Sequence, residues 1–137
     1  MKKRTPISKI MTKNPISVNL TNNISDVVQI FQERNIRHIP VVSGSKLIGM
    51  VSKTDIERIS YVTNAEGEKV RTAVNDMLSL DQVMTRQLDT IQAEDQIRDA
   101  AELFARGQYN ALPVLEGEKL AGIVTTTDVI NYLLEQY

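Results

Sequence analysis

The stretch HIPVVSGSKLIGMVSKTDI, residues 38–56, recurs 73 residues later as ALPVLEGEKLAGIVTTTDV, residues 111–129. The same offset places IMTKNPISV (10–18) on VMTRQLDTI (83–91) and ISDVVQIF (24–31) on IRDAAELF (97–104), without a gap. Self-similarity at a fixed period indicates a repeated structural unit. The chain is therefore predicted to be one module of 137 residues formed by tandem duplication, with repeat 1 at about 7–60, a linker at about 61–79 and repeat 2 at about 80–137.

Each copy predicts the order strand, helix, strand, strand, helix, and hence an α/β fold. ISV (16–18) and DTI (89–91) are the first short strands, and a hairpin turn at Gly44 or Gly117 joins the next two, because glycine tolerates positive φ. The apolar stripe of the first helix has the 3.6-residue spacing: Ile24, Val27, Val28 and Phe31. Because one repeat is too small to bury its own sheet face, we expect the two to pack about a pseudo-twofold axis, with two clefts at their junction.

The linker predicts a polar turn at NAEGEK (64–69) followed by a helix. The apolar face of that helix would comprise Val70, Ala73, Val74, Met77 and Leu78. A second stripe, in the C-terminal helix, comprises Val129, Ile130, Leu133, Leu134 and Tyr137. Either stripe is explained by packing on its own module or by the formation of a dimer, and the sequence leaves both open.

Composition excludes several classes of protein. A net charge of -1 and a pI near 5.8 disfavour a nucleic-acid partner, which would need a basic face, and an aromatic content of 4% disfavours single-stranded RNA. The absence of cysteine excludes disulfides. No apolar run approaches the length of a signal-peptide core or a membrane span, so we expect a cytoplasmic protein with no membrane insertion.

The motifs of common enzymes are absent. With His38 as the single histidine and no cysteine, a structural zinc site is not expected, and neither is any other metal site. There is no GxSxG elbow, Walker A sequence or GxGxxG turn, and no pair of carboxylates stands out as an acid–base dyad. The sequence therefore favours a binding module over an enzyme, with no catalytic residue and no catalytic cofactor.

The repeated motif Gly-h-h-Ser/Thr-x-Thr-Asp, where h is apolar, falls at a predicted strand-to-helix junction. Ser52 and Thr125 are placed to cap the closing helices, with Asp55 and Asp128 three residues later, which is the spacing of a capping box. On this interpretation the residues only satisfy the first-turn amides, for about 1 kcal/mol each.

The same junction also suits a nucleotide. A helix N-terminus attracts phosphate, a hydroxyl can donate to a phosphate oxygen, and a carboxylate can accept from two ribose hydroxyls. The extra hydroxyls of Thr54, Thr126 and Thr127 are not needed by a single cap. Gly49 and Gly122 lack a Cβ, so another group can approach the end of the strand. Capping and ligand binding both remain open from the residues alone.

Taken together, IMT, hPVV, LxGhVS/T and TDh, present in tandem, resemble the cystathionine beta-synthase (CBS) domain pair, or Bateman module, from about Ile7 to Leu134. The resemblance implies two β-α-β-β-α repeats, each with a small mixed sheet and two flanking helices. Such modules commonly dimerise, bind AMP, ADP, ATP or S-adenosylmethionine, and regulate attached or partner proteins without catalysing a reaction.

The resemblance also implies site residues. The ribose-binding aspartate maps onto Asp55 and Asp128, and the phosphate-side hydroxyls map onto Ser52 and Thr125, with Thr54 and Thr127 beside them. Adenine-flanking groups map onto the first strands, and the segments before the prolines also line the clefts: Ile16, Val18, Asp89 and Ile91, then Arg37-His38-Ile39 and Asn110-Ala111-Leu112.

The two sites are not equivalent in charge. Arg37, His38 and Lys53 lie near the first motif, whereas the second has Asn110, Ala111 and Thr126. Because phosphate prefers charge-assisted donors, we expect the first site to favour polyphosphates and the second a less charged adenosyl ligand or none. Asp89, where repeat 1 has Ile16, departs from the apolar pattern beside the adenine.

The leading hypothesis is a stand-alone homodimeric sensor, for example of cellular energy state, that binds an adenosyl ligand and signals to an unidentified regulated protein. The alternative is a structural dimerisation or interaction module with empty clefts. A fragment of an enzyme or transporter is a third hypothesis, which the short flanks disfavour.

Overall fold

The computed structural model describes residues 4–63, 69–71 and 78–137. These residues form two compact units. The terminal unit contains residues 4–15, Ser45–Leu47 and Asp89–Tyr137, and the central unit contains Ile16–Gly44 together with the described residues of Ile48–Leu88. Each unit therefore combines most of one sequence repeat with the N-terminal segment of the other.

The secondary structure has the predicted order in each repeat. The helices are α1 Ile24–Glu33, α2 Lys53–Ser60, α3 Leu80–Val83, α4 Ile97–Ala105 and α5 Thr126–Glu135, with a 3-10 turn at Ile7–Lys9. The strands are β1 Thr12–Lys13, β2 Val18–Asn19, β3 His38–Ser43, β4 Lys46–Ser52, β5 Tyr61–Thr63, β6 Lys69–Arg71, β7 Ile91–Gln92, β8 Ala111–Glu116 and β9 Lys119–Thr125. The predicted α/β class is confirmed.

The central unit is built on β2, β3 and β4, with β3 in the middle. β2 runs parallel to β3, with Val18 opposite Val41. α1 begins with a capping box, because the Asp26 amide donates to Asn23 Oδ1 at 2.9 Å and the Asn23 amide donates to Asp26 Oδ2 at 3.0 Å. The core contains the whole predicted stripe of α1, together with residues from β2–β4, α2 and the segment 80–84. Its buried members are Val18, Ile24, Val27, Val28, Phe31, Ile39, Val41, Val51, Ile56, Leu80 and Met84.

The terminal unit repeats this arrangement. β7 runs parallel to β8, β8 runs antiparallel to β9, and β1 pairs with β9 so that Thr12 lies opposite Ile123. The N-terminal segment is anchored further by the Ile7 amide, which donates to the Asp95 carbonyl at 2.8 Å. The core comprises Ile7, Ile91, Ala93, Ile97, Ala100, Leu112, Val114, Val124 and Val129. The hairpin prediction is confirmed, since Gly44 and Gly117 have φ of 63° and 64°.

Two predicted elements differ from the structure. The first strands begin two residues later than predicted, at Val18 and Ile91, because these are the first residues in register with β3 and β8. The helix predicted from Val70 is wrong for its first residues, since Lys69–Arg71 is a strand that pairs antiparallel with Tyr61–Thr63. Residues 62 and 70 are partners in this register and both are valines, a β-branched type that favours strands.

The rest of the predicted linker stripe is only partly described. Leu78 lies outside any helix and packs against the central core, whereas Ala73, Val74 and Met77 lie outside the described residues. In the C-terminal stripe Val129 is buried, and the other members are exposed: Ile130, Leu133, Leu134 and Tyr137. Among the described helices, none combines the length and the apolarity that crossing a bilayer requires.

Candidate functional site

The first candidate site lies in the central unit, where β4 ends at Ser52 and α2 begins at Lys53. The Asp55 amide donates to Ser52 Oγ at 3.0 Å, so the predicted cap is present. The half-buried Asp55 carboxylate lies with Oδ1 3.4 Å from a guanidinium nitrogen of Arg58. This helix start therefore presents a capping hydroxyl and a carboxylate held by an ion pair.

The second candidate site lies in the terminal unit, where Thr125 ends β9 and caps α5. The Asp128 amide donates to Thr125 Oγ1 at 3.1 Å, and the Thr125 amide donates to Asp128 Oδ2 at 2.8 Å. This is a complete capping box. Within the described part of the chain Asp128 Oδ1 accepts no hydrogen bond, so the half-buried carboxylate keeps one oxygen for a ligand.

Backbone hydrogen bonds bring the predicted flanking segments against both helix starts. The Lys53 amide donates to the Arg37 carbonyl at 2.8 Å, and the Thr126 amide donates to the Asn110 carbonyl at 3.0 Å. The Thr126 hydroxyl adds a 3.2 Å bond to the same carbonyl. The residues that immediately precede β3 and β8 therefore lie beside the capping motifs.

The charge difference predicted between the two sites follows from this geometry. Arg37 and Lys53 are joined through their backbones and both are exposed, so two cations flank the first helix start. At the second, Ala111 pairs with Thr125 and the neighbouring residues Asn110 and Thr126 are uncharged. Of the two helix starts, the first therefore has two cationic residues at its backbone junction, and anions prefer charged donors.

The other predicted site residues differ in their exposure to solvent. Thr54 and Thr127 are exposed in the first turns of their helices, where their hydroxyls are accessible. Ile16 is 37% exposed, whereas the Val18 side chain is 5% exposed and belongs to the central core. The Val18 side chain is therefore not accessible to a ligand.

Comparison with known proteins identifies the family. Residues 7–61 and 80–135 match the family model of the CBS domain. The chain belongs to the CBS domain family. One relative, an uncharacterized protein of Methanocaldococcus jannaschii, is 32% identical over 133 residues, which cover 95% of this chain and 44% of that protein. The chain spans less than half of the length of the first curated relatives that it matches, at 44%, 33% and 22%.

Solved CBS domain proteins share the fold. The CBS domain pair of protein MJ0100, in complex with 5′-methylthioadenosine and S-adenosyl-L-methionine, superposes with a TM-score of 0.77 at 23% identity, covering 97% of this chain and 98% of that chain. CBSX2 in complex with AMP gives a TM-score of 0.79 at 20% identity, covering 96% and 97%.

One residue beside the CBS motifs was not predicted from the sequence, and the structure shows which groups approach the two motif glycines. Arg58 was not assigned to the site, although an acid and a base three residues apart on a helix are a recognisable pair. Gly49 and Gly122 were expected to allow a group to approach the end of the strand. The groups that approach belong to the protein, because a Cβ at Gly49 would lie 2.6 Å from Met84 Sδ and one at Gly122 would lie 2.6 Å from the Thr12 carbonyl.

His38 opens β3 in the first CBS repeat and is half-buried. Burial and the positive charge of Arg37 lower the pKa of His38, and the carboxylate of Asp55 opposes them. The imidazole is therefore held neutral in the folded protein to a lower pH than in the unfolded chain. A bound phosphate would reverse this preference by favouring the protonated ring.

We expect stability to fall on acidification through His38. Its contribution is fully present above the unfolded-state pKa of about 6.5 and is lost as pH falls through the lower folded-state pKa, because the unfolded chain then binds the proton more tightly. Urea unfolding at about pH 7.5 and about pH 5.5 measures the loss, since His38 is the single histidine. The His38→Gln variant should lose less stability over this range, and an identical loss in both proteins would contradict the assignment.

Proposed function

We propose that this CBS domain pair is a regulatory module that binds an adenosine-containing ligand at its helix starts. The supporting observation is the duplicated junction, in which Ser52 or Thr125 caps a helix while a half-buried aspartate three residues later carries an acceptor oxygen at the surface. A capping hydroxyl beside a half-buried acceptor is compatible with capping and with ligand binding together. AMP, ADP, ATP and S-adenosylmethionine are the candidate ligands.

The proposed roles follow from chemistry. Asp55 and Asp128 accept hydrogen bonds from the ribose hydroxyls, and the hydroxyls of Ser52, Thr54, Thr125 and Thr127 face the phosphate or the corresponding substituent. Arg37, His38 and Lys53 favour a polyphosphate at the first helix start. The main chain near Ile16 and Val18, and that of Ala111 in the second repeat, contacts the base.

A second copy of the chain and a regulated protein are the proposed partners. The apolar face of α5 is formed by Ile130, Leu133 and Leu134, which are 42–66% exposed. Burial of this face against another copy of the chain would explain why three apolar residues lie at the surface. A ligand can alter such an assembly only through different affinities for two of its arrangements. The alternative function, a ligand-free interaction module, uses the same face without a ligand.

Thermal unfolding with each candidate ligand tests the proposed function. A ligand at 100 times its dissociation constant adds about 2.7 kcal/mol to the free energy of unfolding. We expect at least one of AMP, ADP, ATP and S-adenosylmethionine to raise the melting temperature. No shift with any of them at millimolar concentration would favour the ligand-free interaction module.

With ATP as the ligand, we expect Asp55→Asn to weaken the affinity by about tenfold or more, because a charged acceptor of ribose hydroxyls is lost. Asp128→Asn should weaken ATP affinity less, since the cations lie at the first helix start. Glu57→Gln is the matched control, because it removes the same charge from an exposed position of α2. Titration calorimetry measures all three, and a larger loss from Asp128→Asn than from Asp55→Asn would reverse the ranking.

A further inference from the structure

The two aspartates of the duplicated motif have different partners. Asp128 directs Oδ2 to the Thr125 amide at 2.8 Å and completes its capping box. In the described part of the chain the Ser52 amide makes no equivalent bond to Asp55, whose Oδ1 lies instead 3.4 Å from the Arg58 guanidinium. The same helix start therefore holds its carboxylate toward the cap in one repeat and toward a cation in the other.

The residue three positions after the aspartate also differs between the two repeats. Residues three apart on a helix are neighbours, so Arg58 reaches Asp55, and the residue at the same place in repeat 2 is Asn131. The Arg58 side chain is 71% exposed, and that of Asp55 is 25% exposed. The guanidinium is therefore the more exposed member of the pair, and it contacts the oxygen that a ligand would need.

We propose that Arg58 is a specificity-determining residue of the first helix start, whose guanidinium competes with a vicinal diol for Asp55 Oδ1. The inference rests on the proposed function and extends it. A neutral nucleoside has only its diol with which to displace Arg58. A nucleotide phosphate also gains contacts with Arg37 and Lys53, so the first helix start favours charged ligands by attraction and by a modest competition against uncharged ones.

The expected effect is small, because an exposed ion pair in water is weak. Removing the competitor should strengthen binding of a neutral nucleoside by about two- to fivefold. Salt screens the pair, so raising the ionic strength should strengthen adenosine binding to the wild-type first site and leave the Arg58→Asn variant unchanged. A merely structural role for Arg58 predicts the opposite sign, namely weaker binding when the side chain is removed.

The experiment compares Arg58→Asn with its parent in an Asp128→Asn background, so that binding at the first helix start is measured. The probes are adenosine and 2′,3′-dideoxyadenosine, which lacks the diol. We expect the substitution to strengthen adenosine binding by about two- to fivefold and to leave dideoxyadenosine unchanged. Conversely, Asn131→Arg in an Asp55→Asn background should weaken adenosine binding at the second helix start.

The possible outcomes separate the inference from the proposed function. If adenosine binds more tightly than dideoxyadenosine but Arg58→Asn brings no gain or a loss, the role of Arg58 is overturned and the proposed function stands. If the two nucleosides bind equally, the aspartates do not hold the diol and the inference fails at its premise. If the wild-type protein binds no adenosyl ligand at all, the proposed function fails and the inference with it. The melting temperature of each variant without ligand verifies that it folds.

Discussion

Replacing Ile7 by alanine is expected to lower the free energy of unfolding by about 2–5 kcal/mol, the usual cost of truncating a fully buried isoleucine. Ile7 is 0% exposed and belongs to the core cluster of the terminal unit. Its amide is also bonded to Asp95. Because small proteins are stable by only about 5–15 kcal/mol, this single change removes a large share of the total.

Urea unfolding followed by tyrosine fluorescence measures the loss. The chain has no tryptophan, and Tyr109 and Tyr132 pack against the same cluster as Ile7, so their emission reports on the affected core. Lys9→Ala, in the same 3-10 turn but exposed, is the control. If Ile7→Ala is no less stable than Lys9→Ala, the N-terminal segment does not belong to this core. Leu80→Ala, at the same place in the other repeat and 1% exposed, should cost a similar amount.

Most of the fold could be predicted because its elements follow local rules. The stripe from Ile24 to Phe31 is buried throughout, and Gly44 and Gly117 form the predicted turns. The burial of Ile7 and Leu80 was not predicted, because each lies in a short segment without periodicity. Each segment packs in the unit that holds most of the other repeat. Sequence similarity between two copies establishes that they are alike, but not which copy receives which segment.

The candidate site was predictable to the same extent. The spacing of Ser52 with Asp55 and of Thr125 with Asp128 predicted both caps, and the hydrogen bonds confirm them. The different partners of the two carboxylates were not predicted, because the capping spacing is the same in both repeats and the residue that differs follows the motif. That residue is Arg58 in one repeat and Asn131 in the other. The ligand-binding roles stay predictions, since they concern contacts with a molecule outside the chain.

Gly122→Ala is expected to lower the free energy of unfolding by about 1–3 kcal/mol, the range for overpacking a closely packed site. The added Cβ would lie 2.6 Å from the Thr12 carbonyl oxygen and 2.7 Å from Met11 Sδ. β1 pairs with β9 at this point, with Lys13 opposite Gly122, so the clash falls on a backbone that is held in register. Relief requires β1 to move away from β9.

Gly49→Ala, at the same place in the other repeat, is the matched comparison. There the nearest atom is Met84 Sδ at 2.6 Å, in a flexible side chain that can turn aside, and the nearest backbone oxygen, that of Thr85, is at 3.1 Å. We therefore expect a smaller loss than for Gly122→Ala. Without these contacts both substitutions would stabilise the protein slightly, because alanine restricts the unfolded chain. Chemical denaturation of the two variants decides between these outcomes. A gain in stability for Gly122→Ala would show that β1 does not pack against β9 at Gly122. A larger loss for Gly49→Ala than for Gly122→Ala would contradict the predicted order of the two variants.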